Sequence, residues 1–241
     1  MKSLSIYLYS LPYAFDVDPV PSNVSHLQTK STCPTANPSF SSYSIRQVER
    51  ESWMFKDRSV PQIQLMNIEQ LSVSLPFDHR FLSVVPTLSN LRSLVMKDFS
   101  EDDGYDLQDL LDRLPCLEEL AFDSWATETM PPYSLSSSSI HQLHLDGWDE
   151  LNERNFYTSE ECLELVHSPL GRQCRVLTIR VDAIKSIFIL TLTMRNLRTL
   201  YLQSDGEYQP NADDFIKDLK GLLPTKWHVN RASFGAIRIQ S

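Results

Sequence analysis

Two histidines and several runs of carboxylates are the residues whose types could support metal or acid–base chemistry. The carboxylates occur in four short runs, Glu101–Asp103, Asp146–Glu150, Glu160–Glu161 and Asp213–Asp214. His141 and His144 are three residues apart, a spacing that places side chains on opposite faces of a strand, so a shared metal is not expected. The acidic runs lack the pattern of a calcium-binding loop and suit solvated loops and helix N-termini. We therefore expect no metal and no cofactor.

No arrangement typical of a catalytic centre is present in the sequence. The glycines, Gly104, Gly147, Gly171, Gly206, Gly221 and Gly235, are too widely spaced for a phosphate-binding loop. Neither G-x-S-x-G nor H-E-x-x-H occurs. The cysteines, Cys33, Cys116, Cys162 and Cys174, include no C-x-x-C pair, which is typical of a reduced cytoplasmic or nuclear protein. We predict that the chain is not an enzyme and that it is located in the cytoplasm or nucleus.

Composition narrows the class of partner. The net charge is −9, with 31 acidic and 22 basic residues, which disfavours nucleic acid because phosphate binding needs concentrated Lys and Arg. No segment approaches the roughly 20 apolar residues that cross a bilayer, and the longest apolar run, Ile184–Met194, is interrupted by polar residues. The apolar stretch Met1–Phe15 contains Pro12 and no cleavage pattern, so it is interpreted as a strand. The predicted partner is a protein, with no nucleic acid and no membrane.

A repeated sequence pattern, apolar-x-x-Leu-x-apolar, predicts the strands that must position any functional residue. In the clearest copy the central residue is Leu94, with Leu91 three residues before it and Met96 two after it. The same frame fits central residues, called anchors below, at Leu4, Leu27, Leu71, Leu120, Leu143, Leu177, Leu200 and Ile237, and only Thr29, two residues after Leu27, is not apolar. Four gaps between successive anchors are 23 residues, a period typical of a leucine-rich-repeat solenoid with one parallel strand per repeat. An ordinary α/β domain whose strands read alike is the alternative.

Helices are predicted between several of these strands. The helical patterns are Asp106–Leu114, Ser159–His167 and Asp213–Leu223, and the segment Ala183–Thr193 fits either a helix or a buried strand. Thr158 and Glu161 form a capping box at the start of the second helix. That helix should bury Cys162, Leu163 and Val166 and be ended by Pro169 and Gly171. The third helix should bury Phe215, Ile216, Leu219, Leu222 and Leu223. The predicted fold class is an α/β leucine-rich-repeat solenoid, with a parallel sheet on the concave side and irregular helical and loop returns.

Two polar segments interrupt the repeats. Residues 31–62 are predicted to be a loop or a partly disordered insert, because their first half is rich in Ser, Thr and Pro and has little apolar surface to bury. Within it, Ile45–Lys56 could form a degenerate helical return. Met130–Ser139 is a second Pro- and Ser-rich loop. Residues 1–241 are nevertheless predicted to form a single domain, because a solenoid needs no internal boundary.

Strand alternation predicts the binding face. If each anchor and the residue two after it point inward, residues at −1, +1 and +3 point out onto the concave sheet. The predicted partner-binding residues on this face are Lys97, Asp123, His144, Asp146, Arg180, Tyr201, Gln203 and Arg238. Tyr201 and Arg180 are expected near the centre, because aromatic rings and guanidinium groups are frequent at hot spots. Asp146 and Arg180 could instead pair with each other. Trp125 and Trp148 each follow an anchor by five residues, and either pack at repeat edges or flank the face.

Three segments resemble the irregular repeats of F-box/leucine-rich-repeat proteins. They are LRSLVM at 91–96, LEELAF at 117–122 and LRTLYL at 197–202. The end of the chain is also similar, with a helix closing at 222–224 and a terminal strand at 237–239. In that family an F-box docks an adaptor of a cullin-type ubiquitin ligase and the repeats hold the substrate. The resemblance implies a non-catalytic protein–protein interaction module of the substrate-recognition type. No F-box-like segment is found, so a ligase adaptor is not an expected partner; a truncated structural repeat remnant with no dedicated partner is the alternative.

Overall fold

The chain folds into an α/β arrangement built on one open, mostly parallel β-sheet. The computed structural model describes residues 47–49, 68–74, 88–97, 99, 104–125, 133–149, 156–203, 212–232 and 236–241. In these residues a nine-stranded sheet, a two-stranded sheet and five helices are formed. None of the helices in the described ranges is long and apolar enough to cross a membrane.

The large sheet keeps chain order along most of its width. In sequence order the strands are β1 (Gln47–Glu49), β2 (Gln70–Ser74), β3 (Ser93–Lys97), β4 (Glu119–Phe122), β5 (Ser124–Trp125), β6 (Gln142–Leu145), β7 (Trp148–Asp149), β8 (Val176–Ile179), β9 (Thr199–Leu202), β10 (His228–Arg231) and β11 (Ile237–Gln240). β5 and β7 form the small sheet. β1, β2, β3, β4, β6, β8 and β9 are neighbours in that order and all parallel. β11 and then β10 complete the large sheet in antiparallel orientation.

The anchors of successive strands lie side by side. Leu71 pairs with Leu94, Leu94 with Leu120, Leu120 with Leu143, Leu143 with Leu177, and Leu177 with Leu200. All six are buried, the most exposed at 2%. The prediction that the anchors align in one parallel sheet in chain order is therefore confirmed for these six. Leu4 and Leu27 lie outside the described residues.

The anchor frame is wrong for Ile237. It lies opposite Leu202, and Ile239 lies opposite Leu200, because β11 runs antiparallel to β9. Only a short connection separates β10 from β11. A link of that length permits a hairpin, whereas two parallel neighbours need a crossover of about a dozen residues. The predicted strand is present, but its direction is reversed.

A regular series of backbone hydrogen bonds extends the alignment beyond the strands. Each bond runs from the amide of one repeat to the carbonyl of the previous one, at a position two residues before the anchor. The donors and acceptors are Arg92 to Glu69 (2.8 Å), Glu118 to Arg92 (2.8 Å), His141 to Glu118 (3.0 Å), Arg175 to His141 (2.8 Å) and Arg198 to Arg175 (2.8 Å). Backbone hydrogen bonds therefore join neighbouring repeats at the amino-terminal edge of the sheet as they do within the strands.

The helices begin and end close to the predicted positions. They are α1 (Gly104–Leu111), α2 (Ser159–His167), α3 (Pro169–Gln173), α4 (Ile184–Thr193) and α5 (Ala212–Leu222). The capping box that opens α2 is confirmed: Thr158 Oγ1 accepts from the Glu161 amide at 3.3 Å, and Glu161 Oε2 accepts from the Thr158 amide at 2.7 Å. The ambiguous segment before Met194 is a helix. It packs against α2.

Two details of the helix predictions are wrong. Leu163 is 46% exposed and Leu165 takes its place in the core, because the face of α2 toward the core runs through Cys162, Leu165 and Val166. Leu222 is 57% exposed at the end of α5. The end of α2 before Pro169 is confirmed, because the helix stops at His167. Pro169 then begins the separate short helix α3, since the first turn of a helix needs no amide donor there.

The predicted insert and loop are only partly within the described residues. Residues 31–46 and 50–62 lie outside them, whereas Gln47–Glu49 form β1, a strand where a helical return was suggested. In the second segment, Tyr133–Ser139 contain no helix or strand, as predicted. Leu135 in this loop is 2% exposed and belongs to the core, so the loop is held against the sheet by an apolar side chain.

We expect Leu120→Ala to lower the free energy of unfolding by about 2–5 kcal/mol, because it removes a fully buried side chain and leaves a cavity between neighbouring strands. Leu222→Ala is the matched control, since Leu222 is mostly exposed. Urea denaturation of both variants measures the difference. A loss below about half a kcal/mol for Leu120→Ala would contradict its core position.

A second stability prediction concerns the turn between α2 and α3. A Cβ added at Gly171 would lie 1.8 Å from the Leu165 carbonyl oxygen, whereas nothing lies within 4 Å of one added at Gly221. The close approach follows from Ser168, whose hydroxyl donates to the Leu165 carbonyl at 2.7 Å and accepts from the Gly171 amide at 2.9 Å. Gly171→Ala should therefore lower the free energy of unfolding by at least about 1–3 kcal/mol.

Gly221→Ala is the control for this prediction, because Gly221 lies in α5 with open space around it. It should stabilise the protein by up to about 1 kcal/mol, the usual gain in helix propensity. Thermal melts of the two variants provide the measurement. Equal melting temperatures for both would show that the helices at residues 165 and 171 do not approach as closely as described.

Candidate functional site

The face of the sheet predicted to carry function is defined by side-chain alternation. In β4, Leu120 and Phe122 are buried, whereas Glu119 and Ala121 are half-buried and point the other way. β6 repeats this pattern with Leu143 and Leu145 inward and His144 outward. The face that carries positions −1, +1 and +3 is called the open face below. The alternation is less regular in β3, β8 and β9, where Ser93, Thr178 and Thr199 occupy outward positions and are nevertheless buried.

A cleft of about 280 Å³ lies on the open face at the carboxyl ends of β4 and β6. Its lining residues are Val95, Glu119, Ala121, Phe122, Asp123, His144, Asp146, Gly147 and Arg180. Four of the predicted partner-binding residues therefore come together in it, namely Asp123, His144, Asp146 and Arg180. They meet because parallel strands in register place equivalent positions side by side.

Glu119 is a cleft residue that the sequence prediction missed. Its Oε1 lies 3.3 Å from His144 Nε2, and each side chain is about one-third exposed. The residue occupies position −1 of its repeat, which the alternation rule already assigns to the open face. Three carboxylates and one guanidinium line the cleft, so its lining carries a net negative charge.

Arg180 is not the exposed hot-spot residue that was predicted. It is only 8% exposed, and its Nη1 lies 3.5 Å from the Gly147 carbonyl oxygen. The backbone explains this burial: the Tyr157 amide donates to the Arg180 carbonyl at 2.9 Å, which brings a further strand-like segment alongside. Arg180 therefore forms part of the wall of the cleft, and replacing it would disturb the fold as well as the surface.

Tyr201 has a different cationic neighbour from the one predicted. It lies in register with Thr178 on β8 and with Arg238 on β11, and the Arg238 Cζ is 5.9 Å from the centroid of its ring. Arg238 reaches this position because β11 is antiparallel. Tyr201 and Arg238, both half-buried on the open face, form a cation–π contact two strands away from His144.

The remaining predicted residues lie around this centre. Lys97 ends β3 and Gln203 directly follows β9, and both are half-exposed without lining the cleft. Trp125 and Trp148 lie in β5 and β7, whose backbones pair with Ser124 opposite Trp148. The described residues contain no group of three or more His, Cys, Asp or Glu side chains that could hold a metal ion.

Several buried titratable groups are held in their neutral forms. Burial raises the pKa of the Tyr157 phenol well above its usual value, and the pKa of Tyr133 is raised mainly by burial as well. Burial also raises the pKa of the Cys162 and Cys174 thiols, in each case to about 12. A thiol with so high a pKa is a weak nucleophile at neutral pH, because the thiolate is the reactive form. Cys162 and Cys174 thus act as small core residues.

Comparison of the chain with models of protein families, with curated proteins and with solved structures finds no match. A functional assignment therefore rests on the residues of this chain and their arrangement.

Cysteine alkylation at pH 8 tests the buried positions. With a pKa of about 12, roughly one thiol in ten thousand is ionised at that pH. Iodoacetamide should therefore leave Cys162 and Cys174 unmodified in the native protein and react with both in urea. Cys116, which is exposed, is the internal control and should react in the native state. Peptide mapping by mass spectrometry gives the readout, and rapid native labelling of Cys174 would contradict its burial.

Proposed function

We propose that the chain is an irregular leucine-rich-repeat solenoid that binds a protein partner on its open face and has no catalytic role. The observation that carries the proposal is the register of six buried anchors across six neighbouring parallel strands. Each anchor brings the same three outward positions with it, so a surface is formed by residues that are distant in sequence. Repeat proteins use such rigid extended surfaces for binding.

The chemistry of the open face supports protein recognition. It carries carboxylates at the cleft, a half-exposed histidine and an aromatic ring held by a guanidinium. Tyr and Arg are the residue types most enriched at interaction hot spots, together with Trp. The side chains are spread over several strands rather than concentrated around one reacting position, which fits a protein surface better than a small-molecule site.

The resemblance to F-box/leucine-rich-repeat proteins suggests the kind of partner. In that family the repeats hold a substrate for ubiquitination, so we propose that the open face recognises a protein substrate or client in the same manner. The cytoplasm or nucleus is the proposed location. The cysteines within the described residues, Cys116, Cys162 and Cys174, are free thiols, the form that a reducing compartment maintains.

The proposal is tested with a double substitution on the open face, His144→Ala with Tyr201→Ala. Both side chains are half-exposed and neither belongs to the core. A partner identified by affinity capture and then purified should bind this variant at least about 30-fold more weakly, which corresponds to roughly 2 kcal/mol, the scale of a hot spot. The melting temperature should remain close to that of the unaltered chain. Titration calorimetry measures the affinities.

The control is Glu160→Ala with Lys217→Ala, two exposed positions on α2 and α5. It should retain the affinity of the unaltered chain. Loss of the partner by this control alone would place the interface on the helices and contradict the proposal. Failure of the unaltered chain to bind any partner saturably would favour a structural repeat remnant.

A further inference from the structure

Four exposed arginines lie together at the amino-terminal edge of the large sheet, away from the cleft. Arg172 and Arg175 lie five and two residues before the anchor Leu177, and Arg195 and Arg198 lie five and two residues before the anchor Leu200. All four side chains are exposed. The two repeats thus carry the same pair of cations at the same offsets. We name this group the basic edge.

The backbone holds the two pairs next to each other. The anchors of β8 and β9 are opposite one another, and the Arg198 amide donates to the Arg175 carbonyl at 2.8 Å. The last turn of α3 is joined to the segment before β9 as well, because Asn196 Nδ2 donates to the Arg172 carbonyl at 2.7 Å. Neighbouring strands are about 4.8 Å apart, so the backbone segments that carry the four exposed arginines lie next to each other.

Nothing in the described part of the chain neutralises this charge. None of the four guanidinium groups forms an ion pair or a side-chain hydrogen bond there, whereas Arg92, at the same offset in an earlier repeat, pairs with Glu118. Lys226 adds a further exposed cation near this edge. It lies two residues before β10, and the first residue of β10, His228, is opposite Gln240 of β11, which is opposite Thr199 at the start of β9. Clustered, unneutralised arginines are unexpected in a chain with a net charge of −9.

We propose that the basic edge binds an acidic protein segment, a short run of Asp and Glu side chains. A guanidinium presents a planar fork of donors that matches a carboxylate through two parallel hydrogen bonds. Hydrogen bonds at the backbones of Arg172, Arg175 and Arg198 hold the main chain that carries these side chains. The electrostatic match between four exposed cations and a carboxylate-rich segment is what selects this partner.

A long nucleic acid fits less well. The Debye length at physiological salt is about 8 Å, so phosphates outside the small basic edge would approach the carboxylates that give the chain its negative charge. A short acidic segment keeps its charge within the basic edge. This surface is separate from the open face, and the inference does not depend on the proposed function.

The test uses a fluorescein-labelled peptide of eight glutamates and fluorescence anisotropy. In one variant Arg172, Arg175, Arg195 and Arg198 are all replaced by Gln. In the matched control Arg113, Lys185, Lys217 and Lys220, four exposed cations elsewhere, are replaced by Gln. Both variants lose the same formal charge, so a difference between them reports the location of binding and not the net charge.

The basic-edge variant should bind the peptide at least about ten-fold more weakly, and the control should stay within about two-fold of the unaltered chain. Equal losses in the two variants would overturn the proposal, because only net charge would matter. An oligonucleotide with eight phosphates that binds the unaltered chain more tightly than the peptide would overturn the choice of partner.

Two further variants test whether a loss of peptide binding could be caused by misfolding or by the open face. Arg175→Gln with Arg198→Gln changes only the innermost pair and should still weaken the peptide at least about three-fold, with an unchanged circular dichroism spectrum. The open-face variant, His144→Ala with Tyr201→Ala, should bind the peptide as the unaltered chain does. Loss of peptide binding in the open-face variant would place the acidic segment on the wrong surface and contradict the proposal.

Discussion

The shared register of buried leucines is the constraint on which the rest of this structure depends. Because side chains alternate along a strand, a slip of one residue between neighbouring strands would turn every anchor outward. The cost of such a slip is large, since the six aligned anchors are buried and four of them are fully inaccessible. The backbone hydrogen bonds that join position −2 of successive repeats carry the same alignment to the edge of the sheet. Burial and backbone pairing thus specify one arrangement together.

This register also explains why surface features recur at equal offsets. Positions one after the anchor bring Thr178 next to Tyr201, and positions two before it bring Arg175 next to Arg198. Neither pair is close in the sequence. A residue at a given offset in one repeat therefore lies beside the residue at the same offset in the next repeat. The open face and the basic edge both consist of residues at fixed offsets from the anchors, and they differ only in which offsets they use.

The end of the sheet is closed in a different way from its middle. β10 and β11 form a hairpin that adds antiparallel strands beside β9, and Trp227, Val229 and Ile239 are buried there. The edge strand at this end of the sheet is therefore β10 and not β9. The hairpin covers the edge of β9 and, through Arg238, also supplies the cation beside Tyr201. One element therefore completes both the core and the open face.

Local patterns in the sequence were sufficient for the period, the buried face and the capped helix α2, because each of these depends on residues within one strand or one turn. The six aligned anchors and the outward position of His144 follow from them. The direction of β11, the burial of Arg180 and the exchange of Leu163 for Leu165 did not follow. Each of these depends on groups contributed by other segments: the short β10–β11 link, the backbone at Tyr157, and the packing of α2 against α4. Sequence spacing specifies which side of an element a residue occupies, whereas only the assembled fold decides what covers that side.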